Sequence, residues 1–315
     1  MTERAEDVVD ALQEAVRVHM LAEMPADDGR LAAMGFATLM IEYRTWRGRF
    51  VEPRPRRVHR APSLQPTTLS AELAAVVDAL QADLEAGRDV NPRLSSTVHN
   101  PFRNVREDEP GRSSDRDLLL ADWDIVHLHL SGTVRPGRAL TKRTGEVMFA
   151  VFDLDDVYLI GVFEHPQHAN WAAEDIFADM VRAFPSAGLS IPMADLKQNH
   201  PPSDEDRLTA RRGAVMLPVA VDGDLHLPRG VGLTTAGTPI WATRWANAFI
   251  WRLTDLRETD VRGLLAEQTG LPAGIDWAAE VLVEQPGFQE VLVLRSGDVT
   301  VEMLRLLPAL DASEN

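Results

Sequence analysis

The chain has 315 residues, 45% of them apolar, a formal charge of −16 and no cysteine. That length suits two domains or one elaborated domain, and the missing cysteine excludes disulfides, thiolate nucleophiles, zinc ribbons and cysteine-held iron–sulfur clusters. The acidic balance argues against a protein that coats nucleic acid with its whole surface; with no long apolar run and with Glu3, Glu6 and Asp7 at the start, neither a membrane helix nor a secretory signal is predicted, and the expected home is the cytoplasm, with no membrane partner.

Residues 4–24 carry Val8, Leu12, Val16 and Met20 at every fourth position, which predicts a helix, and residues 29–43 predict a second one ending near Tyr43. Between Arg44 and Arg60 the chain concentrates Arg44, Arg47, Arg49, Arg54, Arg56, Arg57 and Arg60 against the single acid Glu52. Pro53 and Pro55 make this stretch extended. Such a segment grips a phosphate backbone, an acidic protein partner or the protein's own acidic domain. Ser70 then caps a helix to Ala86, with Leu73, Val76, Val77, Leu80 and Leu84 as its inner stripe and Gly87 as its stop. Residues 88–116 hold Asn91-Pro92, Asn100-Pro101 and Pro110-Gly111 and are expected to be a long loop.

Three strands are expected next, over 123–130, Val147–Phe152 and Val157–Phe163, the last two joined by a tight turn at Asp153–Asp156. If Phe152 faces Val157, the register sets Met148 near Gly161 and Thr144 near His165. The first strand reads Asp122-Trp-Asp-Ile-Val-His-Leu-His-Leu130. Alternation puts His127 and His129 on one face, about 6–7 Å apart, and Val126, Leu128 and Leu130 on the other. The predicted arrangement is thus a histidine surface over an apolar underside.

A helix is expected from Trp171 to Phe184, followed by a linker over 195–212, and a hairpin around Asp222-Gly223. The stretch Gly230–Thr238 fits neither phosphate-binding glycine pattern and reads as turn chemistry. It leads into a helix holding Trp241, Trp245, Phe249 and Trp251; a helix at 257–268, strands near 279–284 and 289–295 and a helix at 298–307 close the chain. The predicted class is α+β: a helical region 1–87, a central antiparallel sheet domain 88–194 with helices on one side, and a smaller α+β domain 213–315.

The chemistry converges on the histidines. His127, His129 and His165 are proton-transfer candidates, and the connection from Ser131 to Gly145 offers Arg135, Arg138, Lys142 and Arg143 as phosphate ligands with no acid among them. Imidazoles that exchange protons beside arginines that stabilise pentacoordinate phosphorus suit RNA cleavage through the 2′-hydroxyl, with no metal and no cofactor required. Arg44, Arg47, Arg54, Arg56 and Arg57 are the accompanying nucleic-acid or partner contacts. Two alternatives stand beside this reading. One is a metal site built on His127 and His129 with His165 or Glu164 as third ligand; the other is a non-catalytic protein that binds an acidic or regulatory partner through its arginine stretch.

The run Asp122–Leu130, together with Val147–Phe152 and Val157–His165 and the Arg54-Pro-Arg-Arg-Val-His59 segment, resembles an uncharacterised group of bacterial proteins with an Asp-Trp-x-Ile-x-His-Leu-His-Leu motif. That resemblance implies no activity. Residues 70–185 are more loosely similar to RelE-like toxin ribonucleases in their helical lead, apolar hairpin and terminal histidine, which implies a metal-independent endoribonuclease. Those enzymes are often basic, and this chain is acidic.

Overall fold

The computed structural model describes residues 3–24, 29–95, 118–131, 140–165, 174–193, 196, 201–272, 275–284 and 289–306. In chain order its elements are α1 (Glu3–Glu23), α2 (Arg30–Ala33), α3 (Phe36–Arg47), β1 (Arg57–Arg60), α4 (Ala71–Glu85), α5 (Leu118–Trp123), β2 (Val126–His129), β3 (Glu146–Phe152) and β4 (Asp156–Glu164). They continue with α6 (Glu174–Ala183), β5 (Ser190–Met193), α7 (Asp204–Arg212), β6 (Val219–Val221), β7 (Asp224–Pro228), α8 (Ile240–Glu258), α9 (Val261–Thr269), β8 (Ala278–Glu284), β9 (Gln289–Ser296) and β10 (Val299–Arg305). The protein is α+β, as its sequence predicts. Among the described residues no helix is long and apolar enough to cross a membrane.

The chain divides into two compact units, residues 1–44 with 242–315, and residues 45–241. This differs from the sequential division into 1–87, 88–194 and 213–315. The reason is visible in the packing: α1 lies against β8 and β9, so the first helix and the last strands bury their apolar faces on each other. In that unit β10-β9-β8 is an antiparallel meander, and the α1 stripe Val8, Leu12, Val16 and Met20 is buried. The expected terminal helix at 298–307 is β10. Gly297, at φ +57°, closes a turn that sends Val299–Arg305 back along β9, and a strand pairing outweighs the residues' helical spacing.

In residues 45–241 a four-stranded sheet has the order β1-β4-β3-β2, and a three-stranded sheet the order β5-β7-β6. The first sheet is antiparallel except for β1, which pairs parallel to β4. Both its faces are buried. One packs Ile125, Val147, Phe149, Val151 and Ile160 against Ile176, Phe177 and Met180 of α6 and against Trp123. The other packs Leu128, Leu130, Met148, Ala150 and Leu159 against Val77, Leu80 and Leu84 of α4. Helices therefore cover both faces, where the sequence placed them on one. A strand that is apolar on both sides reads as a continuous run, and the run cannot say how many helices cover it.

Strong local signals decide several boundaries. Ser70 Oγ accepts the Leu73 N–H at 3.2 Å as N-cap of α4, and Gly87 sits at φ +69° beyond its end. The predicted helix over 29–43 is instead two, α2 and α3, interrupted by Met34 in an extended conformation and Gly35. The expected linker over 195–212 contains α7, opened by a capping box in which Ser203 and Asp206 bond reciprocally. Strands β1 and β5 have no counterpart in the sequence expectation. In the hairpin, Phe152 faces Val157, but a bulge between Phe149 and Ala150 shifts the register toward the start of β3, so that Phe149 opposes Gly161 and Met148 opposes Val162. A bulge adds one residue to one strand and leaves no mark in hydropathy.

Candidate functional site

The histidine strand is shorter than its apolar run. Trp123 ends α5, and Asp124 turns the chain into β2 at φ +59°, a left-handed conformation that aspartate tolerates better than most residues. Two arginines clamp this corner. Arg211 of α7 donates to Asp122 at 2.6 Å, both side chains buried, with its guanidinium 4.4 Å from the Trp123 ring centre. Arg229 bonds Asp124 at 2.6 Å and Asp153 of the hairpin turn at 2.7 Å, and these two carboxylates hold the guanidinium firmly charged against its burial. Burial pushes the Asp122 carboxyl above its usual range, with Arg211 opposing. Sequence reasoning missed these partners, since 89 positions separate Asp122 from Arg211 and nothing local links them.

From this corner His127 and His129 project on one face, opposite Phe149 and Val147 of β3. That face is not a surface: His127 is 7% exposed and His129 2%. The open histidine face expected from the sequence is thereby corrected, because the face belongs to the same core as Ile125, Val147 and Phe149. His165 joins them from the far side of β3. Its N–H donates to the Gly145 carbonyl at 2.6 Å, one residue from the expected Thr144 register because of the bulge. A Cβ placed on Gly145 would meet no atom within 4 Å.

The three rings form a compact group. The His127–His129 centroids are 6.0 Å apart and nearly perpendicular, His127–His165 are 5.8 Å apart, and His129–His165 are stacked at 5.5 Å with 16° between planes. One ring nitrogen from each lies within 4.8 Å of the others. His129 Nδ1 accepts the Thr144 N–H at 3.4 Å, and its Nε2 is buried with no hydrogen-bond partner among the described residues. Burial, then the neighbouring His127 and His165 rings and Arg143, push the His129 imidazole down to about 4. At neutral pH it is an uncharged nitrogen base.

The phosphate candidates divide. Lys142 and Arg143 are both exposed, and Arg143 acts electrostatically on His129, whereas Arg135 and Arg138 lie outside the described residues. Glu164 is exposed and is not one of the converging groups; His165 takes the third place. The arginine stretch is drawn onto its own acidic hairpin. Arg54 pairs with Asp155 at 3.0 Å and Arg57 with Asp156 at 2.7 Å, and His59 also bonds Asp156, at 2.7 Å. Arg56 is buried, donates to the carbonyls of Asp153 and Glu52, and stacks over Phe152. Arg47 is half-buried, and Arg44, buried in the other unit, lies 6.0 Å from the Trp245 ring centre. No protein-family model, no curated protein and no solved structure matches the chain.

Proposed function

We propose that His127, His129 and His165 form a divalent transition-metal centre, with zinc as its first candidate, and that the protein uses it for metal-assisted hydrolysis. The observation that carries this reading is the convergence of three imidazole nitrogens within 4.8 Å on a buried sheet. Nitrogens that share a tetrahedral zinc lie about 3.4 Å apart, from zinc–nitrogen bonds of about 2.1 Å, so the rings need close by little more than an ångström. Rotation of the side chains together with a small adjustment of the segment before β3 would supply that distance. Imidazole donors select zinc, copper, nickel, cobalt or iron over magnesium and calcium, which prefer oxygen. Three protein ligands also leave the fourth position for water, the pattern of catalytic sites, and the metal lowers the pKa of that water to about 7.

The metal-independent RNA cleavage expected from the sequence stands as a second reading, favoured by Arg143 acting on His129. Two facts weigh on the other side. An imidazole pushed down to about 4 is uncharged at neutral pH and cannot serve there as the general acid, and rings this buried offer little surface to a polynucleotide. RNA and acidic protein partners accordingly take second place.

The test uses protein stripped with a chelator and reloaded with Zn²⁺ or Co²⁺, assayed on RNA and on activated esters, with His129→Ala alongside. The metal reading predicts turnover that chelation abolishes, reloading restores and His129→Ala lowers by at least about a hundredfold. RNA cleavage that survives chelation and disappears in the variant contradicts it and puts the imidazole mechanism first.

A further inference from the structure

His129 is held from both sides by groups with opposite demands. Thr144 donates its backbone N–H to His129 Nδ1 at 3.4 Å. A ring nitrogen that accepts a hydrogen bond carries no proton, so the single proton of the neutral imidazole sits on Nε2. Nε2 is the buried nitrogen with no partner among the described residues.

Metal ligation is incompatible with that arrangement, whichever nitrogen binds. If Nδ1 ligates, its lone pair goes to the metal and leaves none for the Thr144 N–H. If Nε2 ligates, the ring proton moves to Nδ1, and two N–H groups then face each other. We propose that Thr144 is a positioning residue: its amide fixes His129 in the Nε2–H tautomer in the metal-free protein, and loading the three-histidine centre requires that hydrogen bond to open. The inference rests on the metal reading above and adds to it a coupling between the metal and the segment before β3.

The local structure allows the motion. Thr144 is tied to both neighbouring strands through its hydroxyl, which accepts the Leu130 N–H at 3.1 Å and donates to the Glu146 carbonyl. A shift of its amide therefore pulls on the end of β2 and the start of β3 together. Gly145, next in the chain, has open space where a side chain would stand, so the segment has room to turn. Arg143, the preceding residue, moves with it, which links metal occupancy to the position of a cation that acts on the site.

The experiment is NMR of the full chain with ¹⁵N-labelled histidine, metal-free and then titrated with Zn²⁺, the His129 signals being assigned by their loss in His129→Asn. The proposal predicts the Nε2–H tautomer in the metal-free protein. It also predicts that Thr144 amide exchange rises at least about tenfold when zinc is bound, as expected when a closed amide opens. Thr144→Ala keeps the amide and is expected to keep the tautomer. Thr144→Pro removes the amide and is expected to bind zinc about fivefold more tightly than Thr144→Ala, the equivalent of one neutral hydrogen bond. An Nδ1–H tautomer in metal-free protein, an unchanged Thr144 amide in zinc-loaded protein, or equal zinc affinity of the two variants overturns the proposal. Protein that shows the Nε2–H tautomer and takes up no zinc overturns the metal reading and the coupling with it. Zinc uptake with an Nδ1–H tautomer overturns the coupling alone.

Discussion

Replacing His129 with asparagine turns the most unusual electrostatic property of the site into a measurable slope. The folded protein holds this imidazole down to about 4 from an ordinary 6.5, so between pH 6.5 and 4 the unfolded chain binds a proton that the folded chain refuses. Stability must then rise with pH across that window and be lost as the pH falls through it. A shift of about 2.5 pH units at about 1.4 kcal/mol per unit amounts to about 3 kcal/mol. Asparagine keeps a short side-chain acceptor for the Thr144 N–H and does not titrate. Urea unfolding of metal-free wild type and His129→Asn, measured at half-unit steps from pH 7 to pH 4, reads the His129 contribution together with its coupling to His127 and His165, because every carboxylate that titrates in this range is common to both. The difference in unfolding free energy between the two proteins should change by about 3 kcal/mol over the window, wild type losing the more toward acid. Parallel pH profiles would refute the claim that His129 is buried and neutral.

Arg211→Ala should destabilise the protein by about 3–5 kcal/mol at pH 7, since it strands a buried carboxylate. Removing Arg211 leaves burial as the main influence on Asp122, so its carboxyl takes up a proton more readily and the deficit should shrink as the pH falls toward 4; calorimetry across pH checks both the size and the sign. Arg56→Ala should cost about 2 kcal/mol, because the carbonyls of Glu52, Arg54 and Asp153 lose a buried donor, whereas Arg57→Ala on the exposed pair should leave the melting temperature unchanged. Equal losses in the two arginine variants would contradict the distinction between a buried anchor and a surface ion pair.

Much of the fold was legible where a single local rule decides. The Ser70 cap, the Asp153–Asp156 turn, the four-residue period of α1 and the alternation of His127 and His129 each depend on residues a few positions apart. What escaped depends on partners far away in the chain. The strand β10 reads as a helix until β9 is beside it, and the bulge that sets His165 against Gly145 exists only in the pairing. The arginine stretch announced its charge, yet only the folded chain shows where that charge goes: Arg54 and Arg57 to the hairpin carboxylates of Asp155 and Asp156, and Arg60 to Asp78.

The candidate site divides in the same way. Alternation put His127 and His129 on one face, and the hairpin brought His165 to them, so the three residues were visible in the sequence. The burial of the first two was not. Hydropathy cannot tell a polar residue that faces water from one sealed in the interior, and that difference moves the chemistry from proton transfer at a surface toward nitrogen donors in a core. The clamps at Asp122 and Asp124, which set where β2 begins, were hidden for the same reason.

Metal content tests the central claim most directly. The full-length protein, purified without chelator and dialysed against trace zinc, cobalt and nickel, is analysed for metal by elemental mass spectrometry beside His127→Ala, His129→Ala and His165→Ala. Circular dichroism confirms that each variant is folded. A three-histidine centre predicts about one transition-metal ion per chain in the wild type and its loss in every folded variant. A wild-type protein that emerges metal-free, or folded variants that keep the metal, would contradict it.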